Sequence, residues 1–230
     1  MFVERECKHC PNKTLTCFMN LPLEDIESLS INKYCKAFKK GQIIYHEGQK
    51  PGGVFCMYEG KVKIYRLGLD GKEHIVRFAI PGDLFGLQGL ISGSEYSTSS
   101  TSIEDSVVCM IPKQIFFRII IKYPEISQQI MVMLSQMVEV AENKLLSIAQ
   151  KPVRERVAET LIALHNMFNK DQQDIDINLT RYDLANIVGT ATETVIRLLA
   201  EFKDENLIYI NGRKIAIQDF EGLKKIAKIV

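Results

Sequence analysis

The stretch LTRYDLANIVGTATETVIRLLAEFKDENLIYINGRKIAIQD, residues 179–219, decides how the chain is read. Thr180 is a helix-capping residue type, and Leu184, Ile187 and Val188 follow as an inward face before Gly189, which permits a tight turn. A second helix is expected next. Val195, Leu198, Leu199 and Phe202 form its packing face, while Thr192, Glu193, Ile196 and Arg197 stay on the outer face. LIYI, Asn211–Gly212 and KIAI then read as a hairpin, because Asn-Gly is a strong turn signal between β-rich runs. Helix, turn, helix and β-wing in this order form a unit that reads double-stranded DNA.

Individual side chains suit that task. A guanidinium at Arg197 presents two parallel donors to guanine O6 and N7, and a carboxylate at Glu193 accepts from cytosine N4. The two residues are four apart on one helix face, so both reach a major groove together, and Ile196 offers apolar contact to a thymine methyl. Thr180, Arg181, Arg213 and Lys214 are placed to hold phosphates, which fixes register without reading sequence. Two plainer readings stand beside this one. Thr190-x-x-Glu193 has the spacing of a capping box, and Glu193–Arg197 has that of a solvated i,i+4 ion pair.

Upstream, Pro152 separates two helical patterns. VRERVAETLIALHNMF at 153–168 places Val153, Val157, Leu161 and Leu164 at helical spacing, and the polar NKDQQDIDIN after it reads as a loop. Residues 125–151 contain neither Gly nor Pro. Their apolar positions Ile126, Ile130, Met133, Met137 and Val140 step by four and three, a heptad-like seam, and Met131, Leu134, Val138, Ala141, Leu145 and Ile148 form a second stripe beside it. Two neighbouring stripes let one helix face its own body and a partner, so a homodimer through the first stripe is expected; a single broad core-facing stripe is the alternative.

Further upstream glycine changes the texture. None precedes Gly41, eleven fall between Gly41 and Gly93, and the remaining three are Gly189, Gly212 and Gly222. Between the early ones lie QIIYHEG, GGVFCMYEG, KVKIYRLG and EHIVRFAI, short β-rich runs that suggest an antiparallel sandwich or barrel. GSEYSTSSTS at 93–102 reads as a polar segment of that body.

Bulk properties are those of a soluble globular protein: 46% hydrophobic and 25% charged residues, net charge +1. Residues 151–230 carry twelve basic and twelve acidic side chains, so DNA binding rests on motif geometry and not on bulk charge. MFVERECKHC lacks the apolar core of a signal peptide, and IFFRIII at 115–121 is short and interrupted by Arg118, so a cytoplasmic protein with no membrane partner is expected. In a reducing compartment six cysteines point to metal binding, redox chemistry or burial in place of structural disulfides. Histidines 9, 46, 74 and 165 show no metal-type spacing, and no paired acid and base, nucleophile motif or phosphate loop suggests an enzyme.

Taken in order, KGQIIYHEG (40–48), PGDLFGLQGL (81–90) and TRYDLANIVGTATETVIRLL (180–199), with its Glu-x-x-x-Arg pair, resemble the CRP/FNR superfamily of bacterial transcription regulators over almost the whole chain. The resemblance implies an α+β architecture: a cyclic-nucleotide-binding-type β-roll (jelly-roll-like) at 1–123, a dimerisation helix at 124–150 and a winged helix-turn-helix at 151–230. It also implies RNA polymerase as a partner. Cyclic-nucleotide-binding members hold ribose with a Glu after a glycine of the 81–90 turn, and phosphate with an Arg-Ser/Thr pair. Leu87 after Gly86 and Tyr96 before Ser97 stand there instead, which disfavours cyclic AMP.

Cys7, Cys10, Cys17 and Cys109, the last in SVVCMIP, resemble the ligand set of a 4Fe–4S cluster in oxygen-sensing FNR proteins, with six residues between Cys10 and Cys17 in place of five. Other readings of the same cysteines stay open. Zinc could take Cys7, Cys10 and Cys17 with His9 or Cys35, a thiol pair could sense redox state directly, or Cys109 could simply be buried. Cys35 and Cys56 lie outside the pattern and are expected to be buried. A regulator without metal that answers another small ligand, and a sensing module without DNA binding, are the alternative functions.

Overall fold

The structure is a computed structural model that describes residues 2–168 and 177–229. The chain divides into two compact units, Met1–Leu67 with Ile75–Met137 and Gly68–His74 with Val138–Val230.

The first unit opens with two short 3-10 turns and α1 (Leu23–Asn32), followed by β1 (Tyr34–Phe38), β2 (Ile43–Tyr45), β3 (Gly53–Glu59), β4 (Val62–Leu67), β5 (Glu73–Ala79) and β6 (Leu84–Phe85). The short α2 (Leu87–Ser92), β7 (Ser99–Ser102), β8 (Ser106–Pro112) and α3 (Lys113–Lys122) lead into α4 (Pro124–Gln150). Two antiparallel sheets result, ordered β1-β8-β3-β6 and β2-β7-β4-β5. They enclose one apolar cluster, because Phe38, Met57, Phe85 and Val108 of the first sheet pack with Tyr45, Val62, Ile64 and Ala79 of the second. This is the expected β-roll. The opposite face of the first sheet, carrying Val54 and Ile111, is covered by Ile26 and Leu29 of α1, Phe116 and Ile119 of α3, and Ile126 and Ile130 of α4.

The serine-rich run is more central than its composition suggests. Ser99–Ser102 form β7, between β2 and β4, and all four are buried. A strand in the middle of a sheet is hydrogen-bonded on both sides whatever its side chains are, so pairing overrides low hydrophobicity.

The helical stripes also need correction. Ile126 and Ile130, expected at a dimer interface, are 2% and 3% exposed and belong to the core of their own unit. Met133 and Met137 are half-buried. Of the first stripe only Val140 is well exposed, together with Met131, Val132, Val138 and Leu145. Ile126 and Ile130 pack in one cluster with α1, α3 and the first sheet, so the start of the seam is taken up locally.

In the second unit α5 (Val153–Phe168), β9 (Ile177–Asn178), α6 (Arg181–Val188), α7 (Thr192–Asp204), β10 (Ile208–Asn211), β11 (Lys214–Ile217) and α8 (Phe220–Ala227) follow. The polar loop expected at 169–178 falls mostly outside the described residues, and its end pairs as β9 with β11 in the sheet β10-β11-β9. Leu161 and Leu164 of α5, Leu184 of α6, Phe202 of α7 and Ile215 of β11 are buried. Among the described residues no helix is long and apolar enough to cross a membrane.

Truncating Ile130 removes a fully packed side chain. Ile130→Ala is expected to lower unfolding free energy by about 2–5 kcal/mol. Urea unfolding checks it, and a loss under about 1 kcal/mol would place Ile130 outside the core.

Candidate nucleic-acid interface and cysteine site

Local chemistry builds the helix-turn-helix. The Thr180 hydroxyl accepts the Asp183 N–H at 3.0 Å and donates to Asp183 Oδ2 at 2.6 Å, which caps α6. Gly189 ends the helix at φ 75°, ψ 52°, a left-handed conformation that glycine adopts without steric cost, and its N–H donates to the Ala185 carbonyl. Three residues later α7 begins. Ala191 is its N-cap and no side chain caps it, so the capping-box reading of Glu193 does not hold.

α7 is strongly two-faced. Val195, Leu198, Leu199 and Phe202 are buried, as the periodicity predicts, and Arg154 lies over the Phe202 ring at 4.9 Å. Glu193, Ile196 and Arg197 are exposed and Thr192 half-exposed on the other face. In place of the alternative i,i+4 pair with Glu193, Arg197 pairs with Glu201, one turn further on, and Glu201 also accepts from Arg154 at 2.9 Å. Sequence spacing could not choose between the two carboxylates, since Glu193 and Glu201 each stand four residues from Arg197. An exposed helical pair of this kind is worth only a few tenths of a kcal/mol. Arg197 can therefore exchange it for a base.

The wing closes with Asn211 opposite Lys214, so the turn itself is Gly212–Arg213, with Gly212 at φ 59°. Arg213 and Lys214 are exposed at this tip. Arg181 acts differently from expectation. Its guanidinium donates to the carbonyls of Gly212 (3.0 Å) and Arg213 (3.4 Å), tying the wing to α6. Thr180 is likewise committed to its cap. Glu193, Ile196, Arg197, Arg213 and Lys214 remain the outward-facing set.

The first unit gathers its thiols. Cys35 of β1 and Cys56 of β3 both lie directly opposite Cys109 of β8, which makes a row of three cysteines across adjacent strands. Residues opposite one another point to the same face, here the one packed against helices. Cys7, Cys10, Cys56 and Cys109 line one cavity, with about 580 Å³ of unfilled space that is partly open to solvent, and Cys17 packs against the same core. Three contacts place the tail: the Val3 N–H donates to the Cys35 carbonyl at 3.0 Å, the Cys7 N–H to Ser30 Oγ at 3.0 Å, and the Asn12 amide to the Tyr58 carbonyl at 2.6 Å.

Cys35 and Cys109 are disulfide-bonded, both 5% exposed, with Cα atoms 3.9 Å apart. This corrects the expected set of four free thiols and the expectation that Cys35 is merely buried. Among the described residues no three His, Cys, Asp or Glu groups stand close enough to hold a metal ion as they are. Arg5, Lys13 and Lys33 also line the cavity, so an anionic group held by its thiols would meet positive charge there. Burial pushes the Cys17 thiol up to about 12, and burial with the neighbouring cysteines does the same to Cys56. Burial raises Cys7 as well, against the opposing pull of Lys33. Nothing in spacing pointed to Cys35 or Cys56; strand register alone brings them to Cys109.

The β-roll interior is filled by rings. Tyr96 stacks on Tyr45 at 4.1 Å, Tyr45 on Phe55 at 5.4 Å, and Phe55 on Phe85 at 5.2 Å. Leu87 is 1% exposed.

A family model for the cyclic nucleotide-binding domain matches residues 35–123, and one for the Crp-like helix-turn-helix domain matches residues 155–226. The chain is 29% identical to the transcriptional activator protein anr of Pseudomonas aeruginosa over 94% of its length and 90% of that protein. It is 26% identical to the fumarate and nitrate reduction regulatory protein of Escherichia coli over 96% of its length and 90% of that protein. Among solved structures it is similar to FixK2 from Bradyrhizobium japonicum, with TM-score 0.77, 24% identity, and coverage of 84% of this chain and 96% of that one. A CRP/FNR-family regulator from Thermus thermophilus gives TM-score 0.71 at 24% identity, over 84% of this chain and 98% of that one.

Removing the α6 cap tests the local geometry. Thr180→Ala is expected to cost about 0.5–2 kcal/mol of stability, with Thr180→Ser close to wild type. Thermal unfolding of the three proteins checks this, and equal losses in both variants would mean that the hydroxyl does not cap the helix.

Proposed function

Because the chain belongs to the CRP/FNR superfamily of DNA-binding transcription regulators, we propose that it is a sequence-specific regulator whose hold on DNA is gated by redox chemistry at its cysteine site. The observation that carries the reading is the division of α7. Four apolar side chains anchor the helix, and Glu193, Ile196 and Arg197 are left together on the exposed face. In a major groove Arg197 donates to guanine O6 and N7, Glu193 accepts from cytosine N4 and Ile196 meets a thymine methyl, while Arg213 and Lys214 hold phosphates beside the groove. Relatives of this chain are transcription regulators and not enzymes.

Cys7, Cys10, Cys17 and, in its reduced form, Cys109 would hold a 4Fe–4S cluster, which supplies sensitivity to oxygen or nitric oxide when bound. The tail bearing the first three is fixed beside β1 and β3, so a group held there joins the tail to the sheet that α4 packs against. Cyclic AMP is disfavoured, since stacked Tyr45 and Tyr96 fill the roll and Leu87 offers no carboxylate. A homodimer through the exposed stripe Met131, Val138 and Leu145 of α4, with RNA polymerase as the further partner, completes the proposal; these three residues recur every seven positions.

Two measurements test this reading. Random-sequence selection followed by titration with Arg197→Ala is expected to show a loss of about 1–3 kcal/mol on the selected site and relaxed preference at one base pair. Unchanged affinity and preference would remove α7 from the groove. Val138→Glu is expected to sediment as a monomer at concentrations where wild type is a dimer, since the two helices would bury unpaired carboxylates. A monomeric wild type would end the dimer proposal.

A further inference from the structure

We infer that Cys35 and Cys109 form a reversible thiol–disulfide pair that withdraws Cys109 from the metal-binding set. The gating part of this inference rests on the cluster reading above; the pairing itself does not.

The row Cys35, Cys109 and Cys56 gives Cys109 a thiol neighbour on each side, and the bond present is to Cys35. β1 and β8 hold these two residues opposite each other through five registered positions, Tyr34 to Phe38 against Met110 to Ser106. The ladder keeps both sulfurs in place whether or not they are joined, so the bond can form and break without backbone rearrangement. Cys109 is positioned to serve two partners. It lines the cavity shared with Cys7 and Cys10, whereas Cys35 does not. Cys35 lies instead beneath the tail, its carbonyl accepting the Val3 N–H.

Both sulfurs of the pair are buried, but only Cys109 borders the cavity, so within the pair it is the thiol that a peroxide reaches. Its sulfur attacks one peroxide oxygen, the O–O bond breaks, a sulfenic acid forms and one water leaves. Cys35 then attacks that sulfur, the S–O bond breaks, the S–S bond forms and a second water leaves with the remaining thiol proton. Two thiols and one hydrogen peroxide become one disulfide and two waters. A dithiol reductant reverses the step by exchange. In the disulfide state Cys109 has no thiolate to give, so the set that includes Cys7, Cys10 and Cys17 lacks its member on the sheet.

The full chain, reduced and free of metal, is treated with hydrogen peroxide, alkylated and digested without reductant for mass spectrometry. The expected result is a Cys35-to-Cys109 cross-linked peptide with Cys7, Cys10, Cys17 and Cys56 alkylated. Cys109 linked to any other cysteine, or alkylated like the rest, would overturn the pairing. In Cys35→Ser the second step is blocked, and a cyclic diketone is expected to trap the sulfenic acid on Cys109; failure to label a folded variant would overturn the order of attack. Iron and sulfide loading of the same samples under nitrogen tests the gating. The disulfide form is expected to take up less than about a tenth of the iron of the reduced form, with recovery after reduction. Equal loading of both forms would overturn the gating role. A reduced protein that takes up no iron and sulfide would overturn the cluster reading and the gating with it, and the peptide map would still decide the pairing.

Discussion

The burial of one face of α7 is the constraint on which function depends. Val195, Leu198, Leu199 and Phe202 are each removed from water, and full burial of such side chains is worth about 1.5–3 kcal/mol apiece. That anchoring fixes the rotation of the helix about its own axis, and rotation decides which side chains a DNA groove would meet. Gly189 sets where the helix starts, Arg154 braces Phe202 and Glu201 from α5, and Arg181 ties the wing to α6. None of these residues needs to touch a base. They hold Glu193 and Arg197 outward in a protein whose overall charge gives DNA little attraction.

A comparable constraint organises the first unit. The antiparallel register of β1, β8 and β3 sets three cysteines side by side, and the packing of the tail on the same face brings Cys7, Cys10 and Cys17 to them. Every cysteine of the chain thus sits at one place, although they are spread over more than a hundred residues of sequence. The opposite face of the same sheet lines a roll closed by stacked rings. One sheet therefore carries the packed interior of the roll on one face and the cysteines on the other.

The architecture was legible because it depends on patterns with fixed periods. Alternating runs between glycines marked the roll, a Gly- and Pro-free segment marked α4, and cap, glycine and Asn-Gly marked the helix-turn-helix. What escaped the sequence depends on contacts between distant segments. The run Ser99–Ser102 reads as a polar segment of the roll, and its place as a buried central strand is decided by backbone pairing. Ile126 and Ile130 share a heptad with Val140 but meet α1 and α3 first. Cys35 and Cys56 carry no spacing signal, and Arg197 has a carboxylate four residues away on either side, of which the structure pairs Glu201. For the serines, the isoleucines and the cysteines, contacts between distant segments decided the outcome.

The central claim is that Arg197 reads a guanine, and a cycle that alters both protein and base tests it most directly. Wild type and Arg197→Ala are each titrated against the selected site and against the same site with 7-deazaguanine, which lacks N7, at each guanine in turn. One position is expected at which the base change weakens wild type by about tenfold and leaves Arg197→Ala unaffected, a coupling of about 1–3 kcal/mol between guanidinium and base. Losses that simply add at every guanine would contradict the account, because Arg197 would then face the duplex without reading it.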